Sequence, residues 1–168
     1  MSDTMNIAVQ DRQVNVRAAR SLLVQAAAHC ARCGRQSPAF ALAVPPGHEW
    51  LDVETGAWHE ASGWALLLFV EYLAECVAAG LTELASTLTY DRSIQGEHGS
   101  WVNHCAHCGS VLDDDQLHCE PGAAFLPISP EGAQLIRVIE VRRPFAGRAA
   151  GMTHDLPAFF TAILSGSA

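Results

Sequence analysis

The sequence predicts an α+β fold in which antiparallel β-hairpins carry two thiol turns and one or two helices pack against them. The first observation is a repeated template: "CARCG" at 30–34 and "CAHCG" at 105–109 both read Cys-x-x-Cys-Gly. The second is the strand-like text around each turn, with Phe40, Leu42 and Val44 alternating at a period of two. The third is size. At 168 residues and 49 % apolar content the chain can bury a core of its own and needs no staple merely to fold.

Taken in order, residues 1–15 read as a flexible tail. "MSDTMNIAVQDRQ" has neither a basic start nor an apolar core of a secretion signal, so an intracellular, cytoplasmic location is expected. Residues 22–44 read as the first thiol hairpin. "VPPGHEWLDVETGAWHEASG" is rich in Pro, Gly and acid and reads as a loop or a pair of short edge strands. In the next stretch "WALLLFV" suits a buried strand, whereas Ala74 to Ala85 is better helix material, so 64–88 is expected to be strand then helix. "WALLLFV" is far short of the roughly 20 apolar residues of a membrane span. "STLTYDRSI" is β-prone, "QGEHGS" is a turn, and residues 98–120 form the second thiol hairpin, with "LDDDQ" as a solvated loop and His118 and Cys119 on the strand that leaves it. "EPGAAFLPISPEG" reads as a loop, and 129–168 as a C-terminal strand, "AQLIRVIEV", and a helix, "LPAFFTAIL", with Asp155 as its N-cap and Pro157 in its first turn. The whole of 1–168 is expected to be one zinc-binding domain.

The chemistry lies in the two turns. A two-residue gap lets both sulfurs point to one side of a tight turn, and the Gly relieves a positive φ. Two such turns meeting in space supply four thiolates at tetrahedral corners, so Cys30, Cys33, Cys105 and Cys108 are the predicted ligands of a structural Zn2+. The 71 residues between Cys33 and Cys105 exceed the spacing of a compact ribbon, but closure cost grows only logarithmically with loop length. His104, His107, His118 and Cys119 are near enough in sequence to replace a corner. Redox use of the pairs would want a Cys-x-x-Cys at a helix N-terminus, where the thiol pKa falls, and hairpin-like sequence surrounds both. A nucleobase deaminase needs His-x-Glu ahead of Pro-Cys-x-x-Cys, and neither pair follows a Pro. Cys76 reads as a small core residue, Trp64 and Trp101 as core, and Trp50 and Trp58 as interface candidates. Arg142, Arg143 and Arg148 form a basic cluster.

The segment "WVNHCAHCGSVLDDDQLHCEPGAAFLP" resembles part of a broad group of bacterial proteins in which an aromatic residue, Asn-His-Cys-x-x-Cys-Gly, an acidic turn, an aliphatic-His pair and an "EPGxxF" loop follow in that order. The resemblance covers 90–127 well and the "CARCG" hairpin more loosely. It implies a zinc-ribbon-like or treble-clef-like module with the same four cysteines as ligands, and no assigned activity.

Charge narrows the function. Eighteen acidic residues face ten cations, all of them Arg, for a net charge of −8. With no lysine the chain cannot build a Schiff base, a P-loop or a Ser-Lys pair, and nucleic acid is disfavoured as a partner. A metal site filled by four sulfurs points to a non-enzymatic protein-binding, adaptor or regulatory module whose partner has a basic surface. The alternatives are a zinc-dependent hydrolase with one exchangeable ligand and a nucleic-acid-binding zinc ribbon.

Overall fold

The computed structural model describes residues 14–94 and 99–166. Their eleven strands are β1 (Val16–Ala18), β2 (Ser21–His29), β3 (Gln36–Val44), β4 (Glu49–Leu51), β5 (Trp58–Glu60), β6 (Ala65–Leu73), β7 (Leu88–Asp91), β8 (Ser100–His104), β9 (Val111–Leu112), β10 (Arg137–Val141) and β11 (Phe145–Thr153). Every pairing among them is antiparallel. The main path runs β10-β2-β3-β6-β11-β1-β4-β5, and β8 joins it through β6 with β7 and β9 on its two sides. Four helices complete the described residues, α1 (Glu75–Leu84), α2 (Asp114–His118), α3 (Pro130–Ala133) and α4 (Ala158–Gly166). The fold is therefore α+β, with more helices than the one or two expected because two of them are single short turns. None of the four is long and apolar enough to cross a membrane.

Alternation in the strands builds two cores, one on each face of the sheet. Leu22, Val24 and Ala26 of β2 share one face with Leu117 of α2 and with Phe160 and Leu164 of α4. Leu23, Phe40 and Leu42 point the other way and pack with Val77 and Leu81 of α1. The strand-then-helix reading of 64–88 matches β6 and α1, and the acidic loop after β3 takes the form of the short edge pair β4 and β5.

Several expectations are corrected. β11 was not foreseen, because "FAGRAAGMT" lacks the branched and aromatic residues that favour strands. Its small residues answer to packing: a Cβ at Gly147 would stand 2.9 Å from the Tyr72 carbonyl oxygen and 3.1 Å from the Phe145 ring. Residues 114–118 form a helical turn, not a hairpin loop, because the Asp113 side chain accepts the Asp115 N–H as an N-cap and turns Leu117 and His118 inward. α3 occupies the start of "AQLIRVIEV", so β10 begins only at Arg137. Asp155 has a left-handed φ of 54° and lies ahead of α4, whose first turn instead returns Phe160 N–H and Thr161 N–H to the Pro157 carbonyl. Cys76 is exposed, one residue off the Val77 and Leu81 face of α1. The arginine cluster is divided, with Arg142 on Glu140 at 2.7 Å and Arg148 on Glu71 at 2.9 Å. Trp64 is buried and its Nε1–H donates to Ser165 Oγ, whereas Trp101 is half-buried against Tyr90. Most of the expected "QGEHGS" turn lies outside the described residues.

One irregularity positions the second thiol turn. β3 and β6 pair only from Leu42–Leu67 to Val44–Ala65 and then part. Below that point the Asn103 amide of β8 accepts the Phe40 N–H at 2.8 Å and donates to the Phe40 carbonyl at 2.9 Å, standing in for a neighbouring strand. On the β6 side Phe69 is left-handed, φ 51°, which is strained for a side chain of its size, and its N–H donates to Asp114 Oδ2 at 2.8 Å. Burial pushes the Asp114 carboxyl up to about 6, against the lowering effect of that hydrogen bond and with help from Asp113 and Asp115.

The folded state therefore holds the Asp114 proton more tightly than the unfolded chain, and the stability this lends is lost as pH rises from about 4 through 6. Asp114→Asn keeps an acceptor for Phe69 N–H and removes the charge. It is expected to be more stable than wild type by roughly 1 to 3 kcal/mol at pH 7.5, with the gain shrinking toward pH 4. Urea unfolding of both proteins across that range checks it; a gain independent of pH would refute the assignment.

Candidate metal centre

The two thiol turns are built alike. Cys30 N–H donates to the Arg35 carbonyl and Gly34 N–H to the Cys30 carbonyl, both at 2.9 Å; Cys105 N–H donates to the Ser110 carbonyl at 2.8 Å and Gly109 N–H to the Cys105 carbonyl at 2.9 Å. Gly34 and Gly109 have φ of +71° and +70°, with open space where a Cβ would stand, so it is backbone conformation and not crowding that requires glycine.

β8 lies beside β3, so the turns meet. The four sulfurs of Cys30, Cys33, Cys105 and Cys108 lie within 4.8 Å of one another. Each first cysteine faces the second of the other turn: Cys30 Sγ is 3.7 Å from Cys108 Sγ, and Cys33 Sγ is 3.7 Å from Cys105 Sγ. A tetrahedral thiolate centre with metal–sulfur bonds of about 2.3 Å has sulfur–sulfur edges of about 3.8 Å. The donor set thus fits a metal ion. A disulfide would require about 2.05 Å, and all four cysteines are free.

Other contacts hold the turns in register. Ala106 N–H donates to Ser37 Oγ at 2.9 Å, and the His107 Nε2 lies 2.9 Å from the Gln36 carbonyl, so the second turn is tied to the hairpin of the first. Ser110 Oγ stands 3.2 Å from Cys30 Sγ and 3.1 Å from Cys108 Sγ, bridging the two turns. His107 N–H points at Cys105 Sγ at 3.4 Å. Cys30 and Cys105 are buried and join the core with Ala28, Leu112 and Leu117, whereas Cys108 is exposed. The centre is anchored from below and open at one corner of its rim.

Four thiols this close do not ionise independently. The Ser110 hydroxyl, with the Cys33 backbone, lowers the Cys30 thiol to about 6. Cys108 is also lowered, again chiefly by Ser110. For Cys33 the Arg35 backbone lowers the pKa, but burial and the three neighbouring thiols raise it to about 11. One thiolate forms readily and the last resists, as expected of a like-charge cluster whose full deprotonation needs a bound cation.

The other nearby donors sit apart from the four sulfurs. His104 Nδ1 lies 3.2 Å from Thr89 Oγ1 and its Nε2 lies 3.5 Å from Asp91 Oδ2. His118 is buried under α2 with its ring 4.9 Å from that of Phe125, and burial pushes its pKa down to about 4. Cys119 Sγ is 3.8 Å from Asp115 Oδ1. Neither these residues nor His107 belongs to the sulfur cluster. Sequence reasoning missed Asn103, Ser37 and Ser110, which hold the turns without offering ligands. Ser110 carried one signal, its place directly after Cys-x-x-Cys-Gly.

Comparison of the chain with protein-family models, with curated proteins and with solved structures gives no match. The likeness to the bacterial group with the Asn-His-Cys-x-x-Cys-Gly segment therefore stands on its motif alone.

Because the Ser110 hydroxyl serves two sulfurs at once, Ser110→Ala is expected to weaken binding of a thiophilic dication such as Cd2+ by about 10- to 100-fold. Competition against a chelator of known affinity measures it, and unchanged affinity would show that the hydroxyl is idle.

Proposed function

We propose that this chain is a structural zinc protein, in which Cys30, Cys33, Cys105 and Cys108 hold one Zn2+, and that it acts as a non-enzymatic protein-binding module. The observation that carries the reading is the pair of crossing 3.7 Å sulfur contacts, which matches the edge of a Zn(Cys)4 tetrahedron. Zinc is the borderline-soft dication that four thiolates at tetrahedral corners suit best. The ion ties β2–β3 to β8–β9 across 71 intervening residues and so organises the sheet. Catalytic zinc keeps a position for water, and a complete sulfur set supplies none.

A non-enzymatic role places the function on the surface. The loaded centre carries four thiolates against one dication, about −2, on a chain already at −8. A partner with a basic face is the complement, in a reducing compartment such as the cytoplasm, where thiols stay free for metal.

Metal analysis of the purified chain is expected to give one zinc per molecule. Cys30→Ser and Cys105→Ser should each lower zinc content and melting temperature together, since zinc binding contributes roughly 10 to 16 kcal/mol in isolated zinc-finger peptides. A variant that keeps its zinc and a normal melting curve would refute the shared site. For the partner, raising ionic strength from about 0.05 to 0.5 M should weaken affinity several-fold, and affinity indifferent to salt would remove the electrostatic reading.

A further inference from the structure

A cavity of about 440 Å3 opens beside the sulfur cluster, between the tip of the first thiol hairpin and the α2 segment with the loop after it. Its apolar lining includes Ala28, Leu117 and Ala124. Asp113 and Glu120 are exposed on its rim, and no arginine lines it.

The backbone along one side of this cavity is unfinished sheet. Cys30 N–H turns toward β3 to reach the Arg35 carbonyl, so the even residues of β2 face β3 and the odd residues face the opposite edge. On that edge Leu23 meets Ile139 and Gln25 meets Arg137, the first residue of β10. The next two odd residues, Ala27 and His29, have β3 on one side but no strand on this edge among the described residues, and both line the cavity. Open edges of this kind are ordinarily covered or blunted by charge. Here the edge is left open where the acidic rim begins.

We propose that this edge and cavity form the docking site of an extended segment of a partner protein, carrying Arg or Lys at alternate positions; the proposal rests on the protein-binding reading above. The segment adds a short strand beyond the start of β10, with its backbone pairing to Ala27 and His29. Every second side chain then falls on the cavity side. An Arg or Lys stem covers Ala28 and Ala124 while its head group reaches Asp113 and Glu120. Charge selects the occupant, because both rim charges and the loaded metal centre are negative.

The test is selection from a displayed library of random linear peptides of about a dozen residues against the full-length, zinc-loaded chain. Selected peptides should carry Arg or Lys in alternation. The double variant Asp113→Asn with Glu120→Gln, in which Asn still caps α2, should bind them about tenfold more weakly. Amide exchange at Ala27 and His29 should be fast in the free protein and slow at least about tenfold in the complex. Acidic or helix-patterned peptides, or amides at Ala27 and His29 already protected in the free protein by a segment of the chain itself or a second copy, would overturn the proposal. Peptides that bind wild type and the double variant equally would overturn the groove while leaving the protein-binding reading in place. Failure to select any peptide, with no partner held by the native protein in its own cell, would remove both.

Discussion

Where β3 and β6 part, backbone groups that a continuous sheet would have satisfied must find other partners, because buried and unpaired amides are costly. The solution is two side chains from one short region. Asn103 takes both polar groups of Phe40, and Asp114 takes the N–H of Phe69. Both belong to the segment that carries the second thiol turn, so satisfying the split sheet also sets β8 beside β3 and brings Cys105 and Cys108 to Cys30 and Cys33. The four-sulfur cluster is a consequence of how the sheet closes its own gap.

That arrangement has a cost at both ends. Phe69 is held in a left-handed conformation that few residues of its bulk adopt, and Asp114 keeps a carboxyl where burial resists its charge. Each is tolerable because the other is present: the carboxylate needs a donor, and the strained turn offers one. The same economy appears at the sulfurs. Ser110 lies against Cys30 and Cys108, one sulfur from each turn, while Ser37 and Gln36 receive donors from the opposite turn. The register of the turns is thus held by hydrogen bonds that the chain itself supplies.

Burial divides the centre by function. Cys30 and Cys105 belong to the core with Ala28 and Leu117, so a disturbance at the sulfur cluster would reach the packing on that face of the sheet. Cys108 is exposed, and the acidic cavity opens nearby against the unpaired end of β2.

The thiol turns were legible because Cys-x-x-Cys-Gly is a local rule: a tight turn, a positive φ and two sulfurs on one side are decided within five residues. The β2–β3 hairpin and the passage from β6 to α1 were legible for the same reason, since period and propensity act over short windows. Side chains at 103, 110 and 114 could not be assigned roles that way. Asn103 matters only because Phe40 lies opposite it, and Asp114 only because Phe69 lacks a strand partner. β11 escaped for a related reason, its glycine being required by the closeness of Tyr72 and not by any tendency of its own. The sequence by itself determined which residues could grip an ion. Tertiary structure alone decided that two distant turns bring their sulfurs together, because their meeting depends on backbone groups far apart in the chain being satisfied together.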